Sequence, residues 1–255
     1  MKLAQHVNQG QLVYLSNDQD QISIYQNAHY RWLMFDDVIQ SVMLLRAPKQ
    51  LTLPHQYAVL MPLLFFKPKS IIELGLGGGN LSRFIQALAP DISVKSVELS
   101  QQVITCYNNY FKAEDCTLIT EHTDAMSWLT QDEQWHNNDI DWMICDVYQH
   151  HTESFQRRVA LLTALTDKLE NNACLTINLP DLDDHEINLC LTILKQLQSS
   201  HNIIYFHIPR YLNIVIHLVP SHWQTNNIKK RNKNSFLPHW QYSRWRRLFA
   251  HHINA

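Results

Sequence analysis

Glycine is concentrated in one stretch of this chain, from Glu73 to Asn80, which reads Glu-Leu-Gly-Leu-Gly-Gly-Gly-Asn and holds four of the five glycines. Glycine is used where the backbone needs a positive φ angle or where a ligand must approach it closely. The apolar pair Ile71 and Ile72 precedes the stretch, and apolar residues follow it at helical spacing: Leu81, Phe84, Ile85 and Leu88. We therefore predict a strand, a glycine turn and a helix whose unpaired N–H groups face a ligand.

Two classes of nucleotide-binding fold use such a turn. The dinucleotide fold has the pattern Gly-x-Gly-x-x-Gly. The class I methyltransferase fold has an acidic residue before Gly-x-Gly-x-Gly, and Glu73, Gly75, Gly77 and Gly79 fit that spacing. A glycine loop by itself does not separate the two classes, so the rest of the chain has to decide.

Strand and helix patterns alternate after the loop. This alternation predicts an α/β fold with a doubly wound, mostly parallel seven-stranded sheet and helices on both faces. Two of the predicted elements are a helix from Pro54 to Phe66 and a third strand at Thr117-Leu118-Ile119. Residues 203–208 and 212–219 read as a closing pair of strands.

A small antiparallel β unit is predicted before this domain. Its strands are four apolar or aromatic runs separated by polar turns: Leu12–Leu15, Ile22–Tyr25, Tyr30–Phe35 and Val38–Met43. Such a unit is too small for a core of its own and should pack on the main domain or on a partner subunit. We divide the chain into residues 1–52 (hairpin unit), 53–220 (methyltransferase-like catalytic domain) and 221–255 (basic aromatic tail).

Composition favours a cytoplasmic protein. No apolar run approaches the roughly 20 residues needed to cross a bilayer, and the first residues lack the apolar core of a signal peptide. The five cysteines stand singly, which is typical of buried reduced thiols. No Cys-x-x-Cys pair is present, and we predict no metal.

The tail is strongly basic. Residues 221–255 contain seven Lys and Arg and no acid, which leaves 14 basic and 23 acidic residues elsewhere. Together with Trp223, Trp240 and Trp245 this composition is compatible with nucleic-acid binding. The alternative that we favour is a segment that folds onto an acidic body, since exposed tryptophans at this density would promote association.

Three acidic residues stand at the predicted strand ends: Glu98, Asp124 and Asp146. The carboxyl ends of parallel strands meet at one edge, so these residues should line one crevice with the glycine loop. Glu98 suits the two hydroxyls of a ribose. Asp124 is either a helix cap or an acceptor for the adenine amine. Because a dinucleotide fold does not predict Glu73 or Asp146, we favour a sulfonium co-substrate.

Further motifs carry a family resemblance over roughly residues 20–220. The segment 30–40 ends in Phe-Asp-Asp-Val-Ile-Gln, Pro54-His-Gln-Tyr is followed by Met-Pro-Leu, and Gly77-Gly-Gly-Asn is followed downstream by Val97-Glu-Leu-Ser and Asp124-Ala. With Asp146 in the position of a catalytic aspartate, the chain resembles the spermidine synthases, or polyamine aminopropyltransferases.

The resemblance implies a class I methyltransferase fold, a usually dimeric protein, and decarboxylated S-adenosylmethionine or S-adenosylmethionine as co-substrate. It implies that Asp146 orients and deprotonates the attacking amine, and that Tyr148 and Gln149 lie where the small-molecule amine acceptor binds. The implied co-substrate contacts lie in the hairpin unit, the glycine loop and the next strand ends: Gln40, His55, Gly75, Gly77, Gly79, Asn80, Glu98, Asp124 and Ala125.

Several positions depart from the family pattern. Asn80 and Gln149 stand where the family has aspartates that hold amines, and Tyr148-Gln149-His150-His151 replaces its Pro-x-Gly-Pro segment. Each lost carboxylate removes a charge-assisted contact of about 1.5–3 kcal/mol. Aminopropyl transfer to an amine is the first functional hypothesis. Methyl transfer from S-adenosylmethionine and a catalytically inactive nucleoside-binding scaffold are the alternatives.

Overall fold

A four-stranded antiparallel sheet comes first in the chain. The computed structural model describes residues 9–17, 21–131, 140–147, 155–180, 182–208, 213–223, 225 and 237–250. The first sheet is a meander in the order β1-β2-β3-β4, with strands β1 (Gln11–Asn17), β2 (Gln21–Gln26), β3 (Tyr30–Phe35) and β4 (Val38–Leu44). The predicted antiparallel unit is confirmed.

The second sheet has seven strands in the order β10-β11-β9-β8-β5-β6-β7. Strand β11 runs antiparallel to both of its neighbours, β10 and β9, and the other pairings among these described strands are parallel. The mostly parallel sheet is therefore confirmed, including its closing strand pair. The strands are β5 (Ser70–Leu74), β6 (Ser93–Glu98), β7 (Ile119–His122), β8 (Trp142–Cys145), β9 (Cys174–Pro180), β10 (His201–His207) and β11 (Asn213–Pro220).

Helices cover both faces of this sheet. They are α1 (Pro54–Val59), α2 (Asn80–Leu88), α3 (Gln101–Cys106), α4 (Ala125–Thr130), α5 (Phe155–Asp167), α6 (Asp184–Leu197) and α7 (His239–Ala250). A 3-10 turn, Met61–Leu64, follows α1, and a π-helical turn, Tyr107–Phe111, continues α3.

Successive residues of the parallel strands enter two separate cores because strand side chains alternate between faces. Ile71, for example, packs with α2 and α3, whereas Ile72 packs on the side of α4, α5 and α6. The first sheet contributes Ile22, Ile24 and Leu33 to the same core as Ile71. The antiparallel unit therefore packs on the main domain.

Two predicted elements are wrong in extent. The third strand is Ile119–His122, because the ladder to β6 pairs Lys95 with Ile119 and Glu98 with His122, whereas the apolar signal came from the residues before it. The helix predicted from Pro54 to Phe66 ends at Val59. Pro62 has no N–H to donate to the carbonyl four residues earlier, so the chain continues as a 3-10 turn.

The tail docks on the body through two of its tryptophans. Trp223 contacts the rings of Phe65 and Phe66, and the buried Trp245 of α7 stacks on Phe84. Docking is confirmed for these two residues, whereas Trp240 is 66% exposed. Lys229, Lys230 and Arg231 lie outside the described residues. No helix in the described ranges is long and apolar enough to cross a membrane.

Candidate active site

The glycine loop joins β5 to α2 in a conformation that requires glycine. Gly75, Gly77 and Gly79 have φ angles of 93°, 49° and 65°, in the left-handed region that other residues rarely adopt. A Cβ on Gly75 would collide with the carbonyl oxygen of Asp146, and one on Gly79 would collide with the ring of Tyr107. The loop is therefore packed tightly against the residue that follows β8 and against the turn that follows α3.

The antiparallel sheet forms one wall of this loop. Ser41 of β4 accepts a hydrogen bond from the amide of Gly78 at 2.8 Å. The Asn80 side chain donates to the carbonyl of Val42 at 2.9 Å and lies 3.4 Å from the hydroxyl of Thr52. Sequence reasoning missed Ser41, because only the fold brings β4 against the loop.

A buried arginine holds the other side of the loop. Arg83 is 2% exposed and donates to the carbonyls of Pro48 (3.0 Å), Gly78 and Phe111 (3.2 Å) and to Oδ1 of Asn80. Burial lowers the pKa of Arg83 to about 10, so the guanidinium stays charged at neutral pH. Both ends of the Asn80 amide are thus used in the fold, a role that the sequence did not indicate.

Glu98 ends β6 beside the loop. Its Oε2 accepts from the amide of Leu76 and its Oε1 from the amide of Ser100, both at 2.9 Å. Burial raises the pKa of Glu98, and these amide bonds oppose the rise. The amides of Gly77 and Leu99 act on it in the same direction, so backbone amides fix the Glu98 carboxylate beside the loop.

Asp124 stands at the end of the next strand as the N-cap of α4. Its Oδ2 accepts from the amide of Ser127 at 2.9 Å and from the Ser127 hydroxyl at 3.3 Å. The cap interpretation of Asp124 is therefore confirmed. Because the cap uses one oxygen only, it is compatible with a second role for Oδ1 and for the adjacent amide of Ala125 in binding an adenine.

Glu73 lies under the loop, between the sheet and α2. It is 3% exposed and accepts hydrogen bonds from the hydroxyls of Ser82 and Ser96, the latter at 2.7 Å. Burial raises the pKa of Glu73 to about 7. The two hydroxyls and Arg83 oppose this rise, whereas the charge of Asp146 adds to it.

Asp146 follows β8, the neighbour of β5 on the side away from β6. Its amide donates to the carbonyl of Leu74 at 2.9 Å, which fixes the backbone at the strand end. Its Oδ1 accepts from Nδ2 of Asn178 on β9 at 2.7 Å. Sequence reasoning missed Asn178, although a single amide side chain within the apolar run Cys174–Pro180 was a usable signal.

Gln40 and His55 are the remaining predicted contacts of the hairpin unit and α1. Ser41 pairs with Leu33 and Ile39 with Met34, so Gln40 is the extra residue of a β-bulge, a feature that redirects side chains beside active sites.

Within the described residues, the buried Nε2 of Gln40 and Nδ1 of His55 have no hydrogen-bond partner. Burial lowers the pKa of His55, and the charge of Asp146 opposes this, so the ring is neutral at pH 7. An unpaired buried polar group costs about 1–3 kcal/mol. These two atoms therefore fit a site that is completed by a polar ligand.

The proposed acceptor residues Tyr148 and Gln149, and His150 and His151 after them, lie outside the described residues. The described ranges contain no group of three His, Cys, Asp or Glu side chains that could hold a metal ion.

No protein-family model matches the chain. The polyamine aminopropyltransferases of Neisseria meningitidis and Chromobacterium violaceum are each 34% identical to it, over 95 and 94 residues. The chain is similar to the polyamine aminopropyltransferases. Each match covers 36% of this chain, and the chain spans about a third (36%) of the length of these curated relatives.

Solved structures extend the likeness to the whole fold. A probable spermidine synthase from Corynebacterium glutamicum aligns over 82% of this chain and 79% of its own, with a TM-score of 0.66 and 15% identity. A spermidine synthase in complex with the transition-state analogue AdoDATO aligns over 93% of this chain and 88% of its own, with a TM-score of 0.61 and 14% identity. Human methyltransferase-like protein 13 in complex with SAH aligns over 78% of this chain and 92% of its own, with a TM-score of 0.57 and 14% identity. The chain thus has the spermidine synthase-like, class I methyltransferase fold.

Proposed function

We propose that this chain is a spermidine synthase-like transferase that moves an alkyl group from an S-adenosylmethionine-type sulfonium to an amine. One observation carries the proposal. The neighbouring strands β8, β5, β6 and β7 end in Asp146, the glycine loop, Glu98 and Asp124, in that order across the sheet. One edge of the sheet therefore carries the groups that the reaction needs: a reacting carboxylate, a glycine turn, a ribose acceptor and a purine acceptor.

The binding residues divide by ligand part. Gly75, Gly77 and Gly79 give the loop the positive φ angles with which its backbone faces the co-substrate, and Glu98 accepts the two ribose hydroxyls. Asp124 and Ala125 bind the adenine through a carboxylate oxygen and an amide. Gln40, His55 and Asn80 line the side that faces the amino-acid tail, where the unpaired nitrogens of Gln40 and His55 are available to a polar ligand.

Asp146 carries the chemistry that the chain itself supplies. The bound sulfonium provides an electrophilic carbon whose leaving group departs neutral, so the protein has to orient the amine and accept its proton. Asn178 bonds Oδ1 of Asp146, and among the residues that the structure describes no side chain bonds Oδ2, which we assign to the hydrogen bond from the amine.

The finer proposal is aminopropyl transfer from decarboxylated S-adenosylmethionine to a small-molecule amine, with Tyr148 and Gln149 beside the acceptor. It is supported by the similarity to the aminopropyltransferases and by the neighbour solved with AdoDATO. Methyl transfer from intact S-adenosylmethionine is the second candidate. Asn80 favours it, because a neutral side chain bonded to Arg83 offers no charge to a terminal amine and tolerates a carboxylate.

We also propose a homodimer formed through the first sheet. Strand β1 is an edge strand with exposed Leu12, Val13 and Leu15, and an apolar edge of this kind pairs readily with another strand. In sedimentation velocity, Leu12→Lys should shift a dimer toward monomer. Leu189→Lys, the same change at an exposed position of α6, is the control and should leave the dimer intact. A monomeric wild type refutes the dimer.

Product analysis tests the proposed reaction. The full chain is incubated with decarboxylated or intact S-adenosylmethionine and a panel of primary diamines. Methylthioadenosine marks aminopropyl transfer, and S-adenosylhomocysteine marks methyl transfer. Asp146→Asn should lower the rate at least about 100-fold while calorimetry shows unchanged co-substrate affinity. Binding without product in every combination would instead favour the nucleoside-binding scaffold.

A further inference from the structure

Strand β9 carries one amide side chain where its apolar neighbours predict another hydrophobic residue. Asn178 is 7% exposed, in the run Cys174–Pro180. Its Nδ2 lies 2.7 Å from Oδ1 of Asp146, across the β8–β9 pairing. A buried amide of this kind is retained only where its hydrogen bonds are made. Asn178 is therefore part of the environment of Asp146 and not of the apolar core.

A second amide determines which way Asn178 points. An ionised carboxylate can only accept, so the Asn178 atom that faces Asp146 has to be the amide nitrogen. Its Oδ1 then faces Nδ2 of Asn213 on β11, at 3.1 Å. Every donor in the row Asn213, Asn178, Asp146 points toward the carboxylate. The antiparallel strand β11 thereby orients a side chain two strands away.

The hydrogen bonds from Asn213 and Asn178 counteract the effect of the other groups around the Asp146 carboxylate. Among the described groups whose pKa is shifted, Glu73 on β5, His55 on α1 and the thiol of Cys145 on β8 interact with the charge of Asp146. A charged Glu73 would repel the Asp146 charge, and His55 is neutral at pH 7, so it contributes no full positive charge. Donation from Asn178 is the hydrogen bond within the described residues that favours the charged carboxylate of Asp146.

We propose that Asn178 and Asn213 are positioning residues for the proposed transfer reaction. They fix the orientation of the Asp146 carboxylate, with Oδ1 bonded and Oδ2 presented to the acceptor amine. The inference rests on the proposed function for its kinetic consequence. Its structural part, the stabilisation of the carboxylate by the two amides, does not depend on which group is transferred.

The structural part is tested by carbon NMR of the Asp146 side chain. In Asn178→Ala, the pH at which the carboxyl signal changes should rise by about one unit, which corresponds to about 1.4 kcal/mol. Asn178→Asp should raise it further, because a second carboxylate then faces the first. Asn213→Ala, at a half-buried position, should give a smaller rise in the same direction and serves if the Asn178 variants unfold.

Thr176→Val is the matched control. Thr176 is also a buried polar residue of β9, two positions before Asn178 and on the same face of the strand, but it bonds Trp142 and His217 and not Asp146. Its loss should lower the unfolding temperature without moving the carboxyl signal. Equal behaviour of Asn178→Ala and Thr176→Val would show that Asn178 is merely structural and would overturn the proposal.

The kinetic part uses the release of methylthioadenosine or S-adenosylhomocysteine as a function of pH. In Asn178→Ala, the acidic limb of the kcat–pH profile should move to higher pH by the same amount as the NMR signal. KM for the sulfonium should change less than about twofold, and the affinity measured by calorimetry should stay constant. A wild type that forms no product refutes the proposed function, yet leaves the NMR result to decide the positioning role. An unmoved carboxyl signal refutes that role whether or not product forms.

Discussion

Replacement of Glu73 by glutamine should remove a pH-dependent loss of stability. Glu73 is 3% exposed, and burial raises its pKa from 4.5 to about 7. Below pH 4.5 the carboxyl is protonated in the folded and the unfolded chain, so it contributes no difference. Between pH 4.5 and pH 7 the unfolded chain releases the proton first, and the unfolding free energy falls as the pH rises.

The magnitude follows from the width of that interval. Each pH unit is worth about 1.4 kcal/mol, so the wild type should lose on the order of 3 kcal/mol between pH 4.5 and pH 7 through this residue. Glu73→Gln keeps an oxygen that can accept from Ser82 or Ser96, but it cannot ionise. The variant should match the wild type at pH 4, where the carboxyl is protonated in both states, and exceed its stability at pH 8.

Urea unfolding followed by tryptophan fluorescence at several pH values measures this difference. Glu170→Gln, the same chemical change at an exposed position, is the control and should track the wild type at every pH. A difference between Glu73→Gln and the wild type that stays constant from pH 5 to pH 8 would refute the reasoning. The carboxyl would then titrate alike in the folded and the unfolded chain.

Three further substitutions test the packing around the loop and the tail. Arg83→Met leaves four acceptors without their donor, three of them buried, and should cost about 3 kcal/mol or more in urea unfolding. Arg247→Met on the exposed face of α7 should cost little. Ser41→Ala removes the acceptor of a loop amide. It should weaken the affinity for S-adenosylmethionine, measured by calorimetry, about 5- to 10-fold. An unchanged affinity would show that the loop keeps its shape without this bond to β4. Trp245→Ala should lower stability by about 3–5 kcal/mol, but Trp240→Ala, which is 66% exposed, by less than about 0.5 kcal/mol; equal losses would contradict the docked position of α7.

The parts of the site that sequence reasoning could place are those that depend on local pattern. The glycine loop is readable because few residues adopt positive φ, and three of its glycines do so. Glu98 and Asp146 are readable because each follows a run of strand periodicity. The end of β7 was less predictable, since an edge strand is delimited by its pairing with β6 and not by its own apolar residues.

The parts that could not be placed depend on contacts between distant segments. Ser41 reaches Gly78 across 37 positions of the chain, and Asn178 reaches Asp146 across 32. Arg83 illustrates the same difficulty, because an arginine on an amphipathic helix is usually exposed. Its burial follows from four acceptors that the fold assembles around it, and none of them can be recognised from the sequence of α2 alone.

These contacts make the antiparallel sheet part of the candidate site. Ser41 bonds the loop amide, Val42 accepts from Asn80, and Gln40 is turned inward by a bulge. Any ligand that orders the loop therefore also favours the docked position of the sheet, and by linkage the docked sheet strengthens ligand binding by the same free energy. In the proposed site, the first sheet and the glycine loop would bind the co-substrate together, so changes in β4 should alter co-substrate affinity even where they touch no part of the co-substrate.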